Sequence, residues 1–191
     1  MTRVVLAEDE AIIRLDLRET LVEEGYDVVG ETGRGDEAVQ LVRDLRPDLV
    51  ILDIKMPGMD GLEAARLIND ERLAAVLILT AFSQRELIVQ ARDAGALAYL
   101  VKPFQRSDLV PAIEVALGRF AEMRALQEQS DDLQDRLATR KLLDRAKGIL
   151  MDECTLTEQA AFRYIQSTAM TERSTMKAVA QRVIDGVLRP A

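Results

Sequence analysis

Four short apolar runs set the limits on what this chain folds into. Val4-Val5-Leu6-Ala7, Leu49-Val50-Ile51-Leu52, Val76-Leu77-Ile78-Leu79 and Leu97-Ala98-Tyr99-Leu100-Val101 have strand length and no polar alternation. Runs of this kind suit strands buried on both faces. Each stops abruptly on polar residues or on proline: Glu8-Asp9-Glu10, Asp53, Thr80-Ala81 and Lys102-Pro103.

Between the runs lie segments of roughly helical spacing. Ile12, Ile13, Leu15, Leu17, Leu21 and Val22 mark a first helix, closed by Gly25. A short strand at Asp27 to Gly30 follows, then a helix marked by Ala38, Val39, Leu41, Val42 and Leu45 and stopped by Pro47. A third helix turns Leu62, Ala65 and Ile68 inward, and a fourth runs from about Gln84 to Ala94 with Gly95 as its left-handed stop. Ser107 is placed as the N-cap of a fifth helix, with Pro111 in its first turn, where proline is tolerated. Strand and helix alternate five times, which means a doubly wound α/β fold: a five-stranded parallel sheet with helices on both faces. Right-handed crossovers and a crevice at the strand ends favour the flavodoxin-like order 2-1-3-4-5.

In such a sheet Glu8, Asp9, Asp53, Thr80 and Lys102 converge on one edge. Three carboxylates in one place repel each other unless a cation lies between them, and hard oxygen ligands suit Mg²⁺. A hydroxyl and an ammonium opposite them are what an arriving phosphoryl group needs. Taken alone, Asp53 also reads as an ordinary turn residue after a core strand.

The set resembles the receiver domain of bacterial response regulators: an acid pair after strand one, Asp after strand three, Thr-Ala after strand four, Lys-Pro after strand five. The resemblance covers roughly the first 120 residues. It implies that Asp53 is the phosphoacceptor, and that Glu8, Asp9, Asp53 and the backbone carbonyl of Lys55 hold Mg²⁺. Thr80 and Lys102 would contact the phosphoryl oxygens, Ala81 would leave space beside them, and Tyr99 would be the switch aromatic. The family also implies a cis bond before Pro103. Lys55 and Phe82 are placed to obstruct an attacking water. Glu8 departs from the family, which more often has Asp there; a Glu reaches further and binds a metal through water.

Composition narrows the chemistry. The 191 residues suggest one good domain and a smaller one, and 48% hydrophobic with 30% charged residues is globular usage. No histidine occurs, which excludes His triads, His metal sites and a His relay within this chain. The phosphodonor must be another molecule, and the receiver resemblance implies a sensor histidine kinase. Cys154 stands alone and reads as a packing residue in a reducing compartment. No run approaches the ~18 apolar residues of a membrane span, and the N-terminus enters a strand at once, so a cytoplasmic protein without a signal peptide is expected.

From Ala112 to Met151 there is no proline. Phe120, Met123, Leu126, Leu133 and Leu137 fall on an approximate coiled-coil seam, which makes this stretch a candidate for pairing two copies. Thr155-Leu-Thr-Glu158 reads as a capping box that opens a further helix. Leu156, Ala160, Ala161, Tyr164 and Ile165 give that helix an apolar face, and Met176, Val179, Ala180, Val183 and Ile184 give another. With the end of the long helix these form a small all-α three-helix bundle.

Arg145-Ala-Lys-Gly-Ile-Leu-Met151, then Ala160-Ala161-Phe162 and Ala169-Met170, resemble the ANTAR domain, the RNA-binding output module of antitermination regulators. Ile165-Gln166 departs from the Leu-Arg common there. The resulting organisation is a receiver at 1–118, a helical linker at 119–135 and an ANTAR domain at 136–191. Charge changes sign along the chain. Residues 1–135 carry 15 Lys+Arg against 27 Asp+Glu, a net of −12, and residues 136–191 carry 10 against 6, a net of +4. The RNA contacts implied are Arg140, Lys141, Arg145, Lys147, Gly148, Arg163, Arg173 and Lys177, with close helix packing as the expected reason for Gly148.

The expected function is therefore a response regulator, phosphorylated on Asp53 and acting as an RNA-binding antiterminator on leader RNA with hairpins, as a homodimer when active. The alternatives are a DNA-binding or purely dimerising helical output. Lys177 and Arg182 are a sparse pair for a DNA recognition helix. A phosphatase of the haloacid dehalogenase kind needs a second Asp two residues after the nucleophile, where this chain has Lys55. A regulator rather than an enzyme is expected.

Overall fold

The computed structural model describes residues 1–81 and 85–190 of the chain. Phe82, expected to screen the phosphoacceptor, and Gln84, expected to open the fourth helix, lie outside the described residues. Residues divide into two compact units, Met1–Arg124 and Ala125–Ala191.

The first unit is a five-stranded parallel sheet in the order β2-β1-β3-β4-β5. Its elements are β1 (Arg3–Ala7), α1 (Ala11–Glu23), β2 (Asp27–Thr32), α2 (Gly35–Leu45), β3 (Leu49–Asp53), α3 (Gly61–Asp70), β4 (Ala75–Thr80), α4 (Arg85–Asp93), β5 (Ala98–Val101) and the first turns of α5 (Arg106–Cys154). Successive side chains of a strand point to opposite faces. Val5, Ala7, Val50, Leu52, Val76 and Ile78 therefore pack under α2, α3 and α4. Val4, Leu6, Leu49, Ile51, Leu77 and Leu79 pack on the other face, under Leu17 and Leu21 of α1 and Leu109, Ile113 and Ala116 of α5. Both faces are covered, which is why these strands lack polar alternation.

Helix α1 forms where the spacing places it, and two expectations at the start of α5 need correction. Of the six apolar positions assigned to α1, only Leu17 and Leu21 are buried; Ile12, Leu15 and Val22 are exposed. The run was too dense in apolar residues to tell which face turns inward. Ser107 is not the N-cap of α5. The Asp108 and Leu109 amides donate to the Gln105 carbonyl, and the Gln105 amide donates to Asp108 Oδ2 at 3.0 Å. The acid at the third helical position thus reaches back over the helix start. Pro111 consequently sits in the second turn, not the first.

Tyr26 joins the start of β2 to α5. Its hydroxyl donates to Glu114 Oε1 at 3.0 Å. Burial, then the hydrogen bond and charge of Glu114, push its pKa up to about 12. The folded chain keeps the phenol neutral, whereas an unfolded chain ionises it near pH 10. The stability this gives is complete below pH 10 and is lost as pH rises through about 12. Tyr26→Phe should cost about 1 kcal/mol at neutral pH. Urea unfolding of both proteins across the alkaline range should show this deficit shrinking and then reversing; a constant deficit would contradict the assignment.

The second unit is all-helical. The remainder of α5 packs with α6 (Glu158–Thr171) and α7 (Met176–Ile184). Ala146 and Leu150 of α5, Ala161, Ile165 and Ala169 of α6, and Val179, Ala180 and Val183 of α7 form its core, with Cys154 packed against it. The expected capping box is displaced by two residues. Thr155 is left-handed at φ 56° and follows the end of α5, while Thr157 caps α6 by accepting from the Ala160 amide at 3.3 Å. Met123, Leu126, Leu133 and Leu137 are all exposed, so the expected seam lies open on α5. Among the described residues, no helix is long and apolar enough to cross a membrane.

Candidate functional site

Register places the polar strand ends together. Ala7 pairs with Leu52, so Glu8 lies level with Asp53; Asp53 pairs with Leu79, and Thr80 pairs with Val101. Glu8, Asp53 and Thr80 are buried although polar. Asp9 and Lys55 are exposed, and the Lys55 amide donates to Asp53 Oδ2 at 3.2 Å. Carboxylate oxygens of Glu8, Asp9 and Asp53 all lie within 4.8 Å of one another.

Lys102 reaches across from the end of β5. Its Nζ lies 2.5 Å from Glu8 Oε2 and 3.0 Å from Asp53 Oδ1. Sequence reasoning had Lys102 for the phosphoryl oxygens and missed this pairing, because strand order alone does not say how far a lysine folds back. Burial pulls the Lys102 pKa down, but hydrogen bonds to Glu8 and Asp53 outweigh it and the pKa is raised. Burial pushes the Glu8 carboxyl up, with the charge of Asp53 adding to it, against the opposing hydrogen bond and charge of Lys102. Three carboxylates against one ammonium leave a formal charge of −2, which one divalent cation neutralises. The donor set therefore fits Mg²⁺, a hard ion that takes few protein oxygens and keeps several waters.

Two further features hold the site. Arg14 Nη1 donates to the Glu8 carbonyl at 2.5 Å, bracing the turn that carries Glu8 and Asp9. No spacing rule would have singled it out. Gly61 opens α3 directly against β3; a Cβ there would stand 1.9 Å from the Asp53 carbonyl oxygen. Only glycine allows that approach. Ala81 and Pro103 are exposed beside the strand ends, the Lys102-Pro103 bond is cis, and Tyr99 is 45% exposed on β5.

The basic residues of the second unit do not form one cluster. Arg140 and Lys147 line a groove of about 350 Å³ with Arg136 and Phe162. Lys141, Arg145, Arg163, Arg173 and Lys177 are exposed and do not line it. Lys147 is only 17% exposed and is held by Glu158 at 2.7 Å and Asp144 at 2.9 Å. Lys177 pairs with Asp135. Among the described residues, a Cβ on Gly148 would meet nothing within 4 Å, so helix packing between them does not explain this glycine.

Comparison with known proteins covers both units. Residues 4–114 match the response regulator receiver domain family, and residues 131–184 match the ANTAR domain family. The transcriptional regulatory protein PdtaR of Mycobacterium tuberculosis is 55% identical over 188 residues, covering 98% of this chain and 92% of that protein. The chemotaxis protein CheY of Thermotoga maritima is 37% identical over 112 residues, covering 58% of this chain and 93% of that protein. Among solved structures, the receiver domain of the putative response regulator NarL from Mycobacterium tuberculosis superposes with a TM-score of 0.59 at 32% identity, over 61% of this chain and 96% of that one. A chain of the CheX–CheY–BeF3–Mg complex from Borrelia burgdorferi gives a TM-score of 0.56 at 25% identity, over 59% of this chain and 86% of that one. The sheet order, the strand-end residues and these matches agree, and the chain belongs to the two-component response regulators that join a receiver domain to an ANTAR RNA-binding output.

Proposed function

We propose that this chain is a phosphorylation-switched RNA-binding antiterminator, with a receiver at 1–118, a linker at 119–135 and an ANTAR output at 136–191. The single observation that carries the switch is the buried Asp53 carboxylate, flanked by two further acids and faced by Lys102. A carboxylate oxygen of Asp53 attacks the phosphorus of the donor. An O–P bond forms, and the bond from phosphorus to the histidine of a sensor kinase, or to the acyl oxygen of acetyl phosphate, breaks. Mg²⁺, held by Glu8, Asp9, Asp53 and the Lys55 carbonyl, would supply neutralisation of charge on the entering group. Thr80 and Lys102 take the phosphoryl oxygens, and Ala81 and Pro103 shape the rim beside them.

Lys102 already touches Glu8 and Asp53, so arrival of the phosphoryl group redistributes its bonds. Thr80 follows the phosphoryl group and the exposed ring of Tyr99 turns inward, a local charge event read out as a change of surface. The output is RNA with hairpins, bound through exposed cations among Arg140, Lys141, Arg145, Arg163, Arg173 and Lys177. Lys147 joins them only by leaving Asp144 and Glu158, and Lys177 only by leaving Asp135, while Gly148 leaves the backbone beside it open. Phosphorylation favours a homodimer through the open α5 seam, so that two outputs read two hairpins with a gain of roughly 100-fold in avidity. A cytoplasmic location belongs to this reading, since nascent transcripts and the kinase's phosphodonor are there.

RNA crosslinking with sequencing, with and without a phosphodonor, tests the reading. Leader hairpins should be enriched only with the donor. Thr80→Ala should still be phosphorylated yet gain less than about threefold in RNA affinity, because it lacks the hydroxyl that couples site to surface. Full activation of that variant would refute the coupling.

A further inference from the structure

The groove in the second unit includes an aromatic ring in its lining. Phe162 is next to Ala161 on α6, one step off the buried stripe of Ala161, Ile165 and Ala169. It is 41% exposed and lines the groove, rather than closing into the core. Arg136 and Arg140, one turn apart on α5, line the same groove. Asp135 and Asp144 line it too, but each is matched by a lysine: Asp135 by Lys177, and Asp144 by Lys147 at 2.9 Å. Arg136 has Asp132 at 2.8 Å, whereas Arg140 has its carboxylate partner at only 4.0 Å and is 83% exposed. The groove is thus lined by an exposed aromatic ring and by a weakly held guanidinium.

We infer that this groove captures one unpaired base of an RNA loop, with Phe162 as the stacking surface and Arg140 on a neighbouring phosphate. The inference rests on the RNA-binding reading of the output and adds the chemistry of one subsite to it. An aromatic ring and a cation in one groove suit a nucleotide better than an apolar peptide, which would bring no anion to the loosely held Arg140. Bases of a duplex are stacked away from side chains, so the occupant comes from a loop or bulge. Stacking is tolerant of base identity, because every base has a π-face. Lys147 of α5, through its contact with Glu158 of α6, acts here by holding α6 against α5, and so by setting the width of the groove.

The chain contains no tryptophan, so Phe162→Trp introduces a single fluorescent reporter at the proposed contact. The probe is a pool of RNA hairpins with one fixed stem and randomised loops, enriched on the full-length protein in the presence of Mg²⁺ and acetyl phosphate. Phe162→Leu keeps apolar volume and removes the ring. It should bind the enriched hairpins about tenfold more weakly, with the salt dependence unchanged. Arg140→Ala should reduce the salt slope by about one unit. Phe162→Trp should bind within about twofold of the unmodified protein, its emission quenched by the hairpins and not by the same stem closed as a perfect duplex. If the unmodified protein binds hairpins but Phe162→Leu binds equally well, or Phe162→Trp emission does not respond to hairpins, the subsite is wrong and the RNA reading stands. If that emission responds to protein concentration instead of RNA, the groove is a contact between copies and the subsite is again refuted. If the unmodified protein enriches no hairpin, both fall.

Discussion

Asp53→Asn should reduce Mg²⁺-dependent phosphorylation by acetyl phosphate to background, while leaving the fold in place. The amide keeps the shape of the carboxylate and one of its two oxygens, so it can still accept from either the Lys55 amide or Lys102, which contact different oxygens of Asp53. It removes the charged nucleophile, and no neighbour replaces it. Glu8 is buried with one oxygen on Lys102 and the other accepting from the Glu10 amide at 3.3 Å. Asp9 is exposed on the loop beyond β1. Intact-mass measurement after exposure to the donor checks this, with thermal unfolding as the control on structure. Labelling of the variant at the unmodified rate would show that another residue is the acceptor.

Lys102→Met should be strongly destabilising. The side chain keeps its length and loses the ammonium that lies against two buried carboxylates. Breaking a buried pair by removing one partner costs about 3 kcal/mol, because the other charge stays in a poorly solvated place. The loss has a defined pH dependence. Burial already raises the Glu8 carboxyl, with Asp53 adding and Lys102 opposing. A raised acid favours the folded chain below the ordinary carboxylate range and loses that advantage as pH rises through its own value. Without Lys102 the rise is larger, so the deficit should be full at pH 8 and smaller at pH 5. Mg²⁺ should stabilise the variant more than the unmodified protein, since it restores a cation among the acids. Equal stability of both proteins at pH 8 without Mg²⁺ would show that Lys102 does not compensate these charges.

The fold and the acid cluster were legible because one signal served both. An apolar run ending on a carboxylate states a buried strand and a ligand at its end, and the parallel register brought Glu8, Asp9 and Asp53 within 4.8 Å. Helix faces were less legible. The stripe of α7 is clean and Val179, Ala180 and Val183 are buried, whereas the crowded α1 run mixed inward Leu17 and Leu21 with exposed Ile12 and Leu15. Caps failed for a different reason. Thr155 and Thr157 both fit a capping pattern, and only the left-handed backbone of Thr155 decides that it ends one helix instead of starting the next. Side-chain pairing was not legible at all: that Lys102 lies on Glu8, and that Lys147 lies on Glu158 and Asp144, depends on distances no spacing rule contains.

Those pairings also change the emphasis within the output unit. Lys147 and Lys177 are committed to carboxylates, while Arg140 remains loosely held in a groove that an exposed aromatic ring also lines. The net charge of +4 over residues 136–191 is therefore spread over separate surfaces, and single cations should each contribute modestly.

Phosphorylation of Asp53 should control RNA binding. The direct measurement is the affinity of the full-length chain for a two-hairpin RNA, with Mg²⁺, before and after acetyl phosphate, for the unmodified protein and for Asp53→Asn. Phosphorylation of the unmodified protein should give at least about a tenfold gain, consistent with coupling free energies of about 1–3 kcal/mol, and the variant should show none. Equal affinity of the phosphorylated and unphosphorylated protein, with phosphorylation verified by mass, would contradict it.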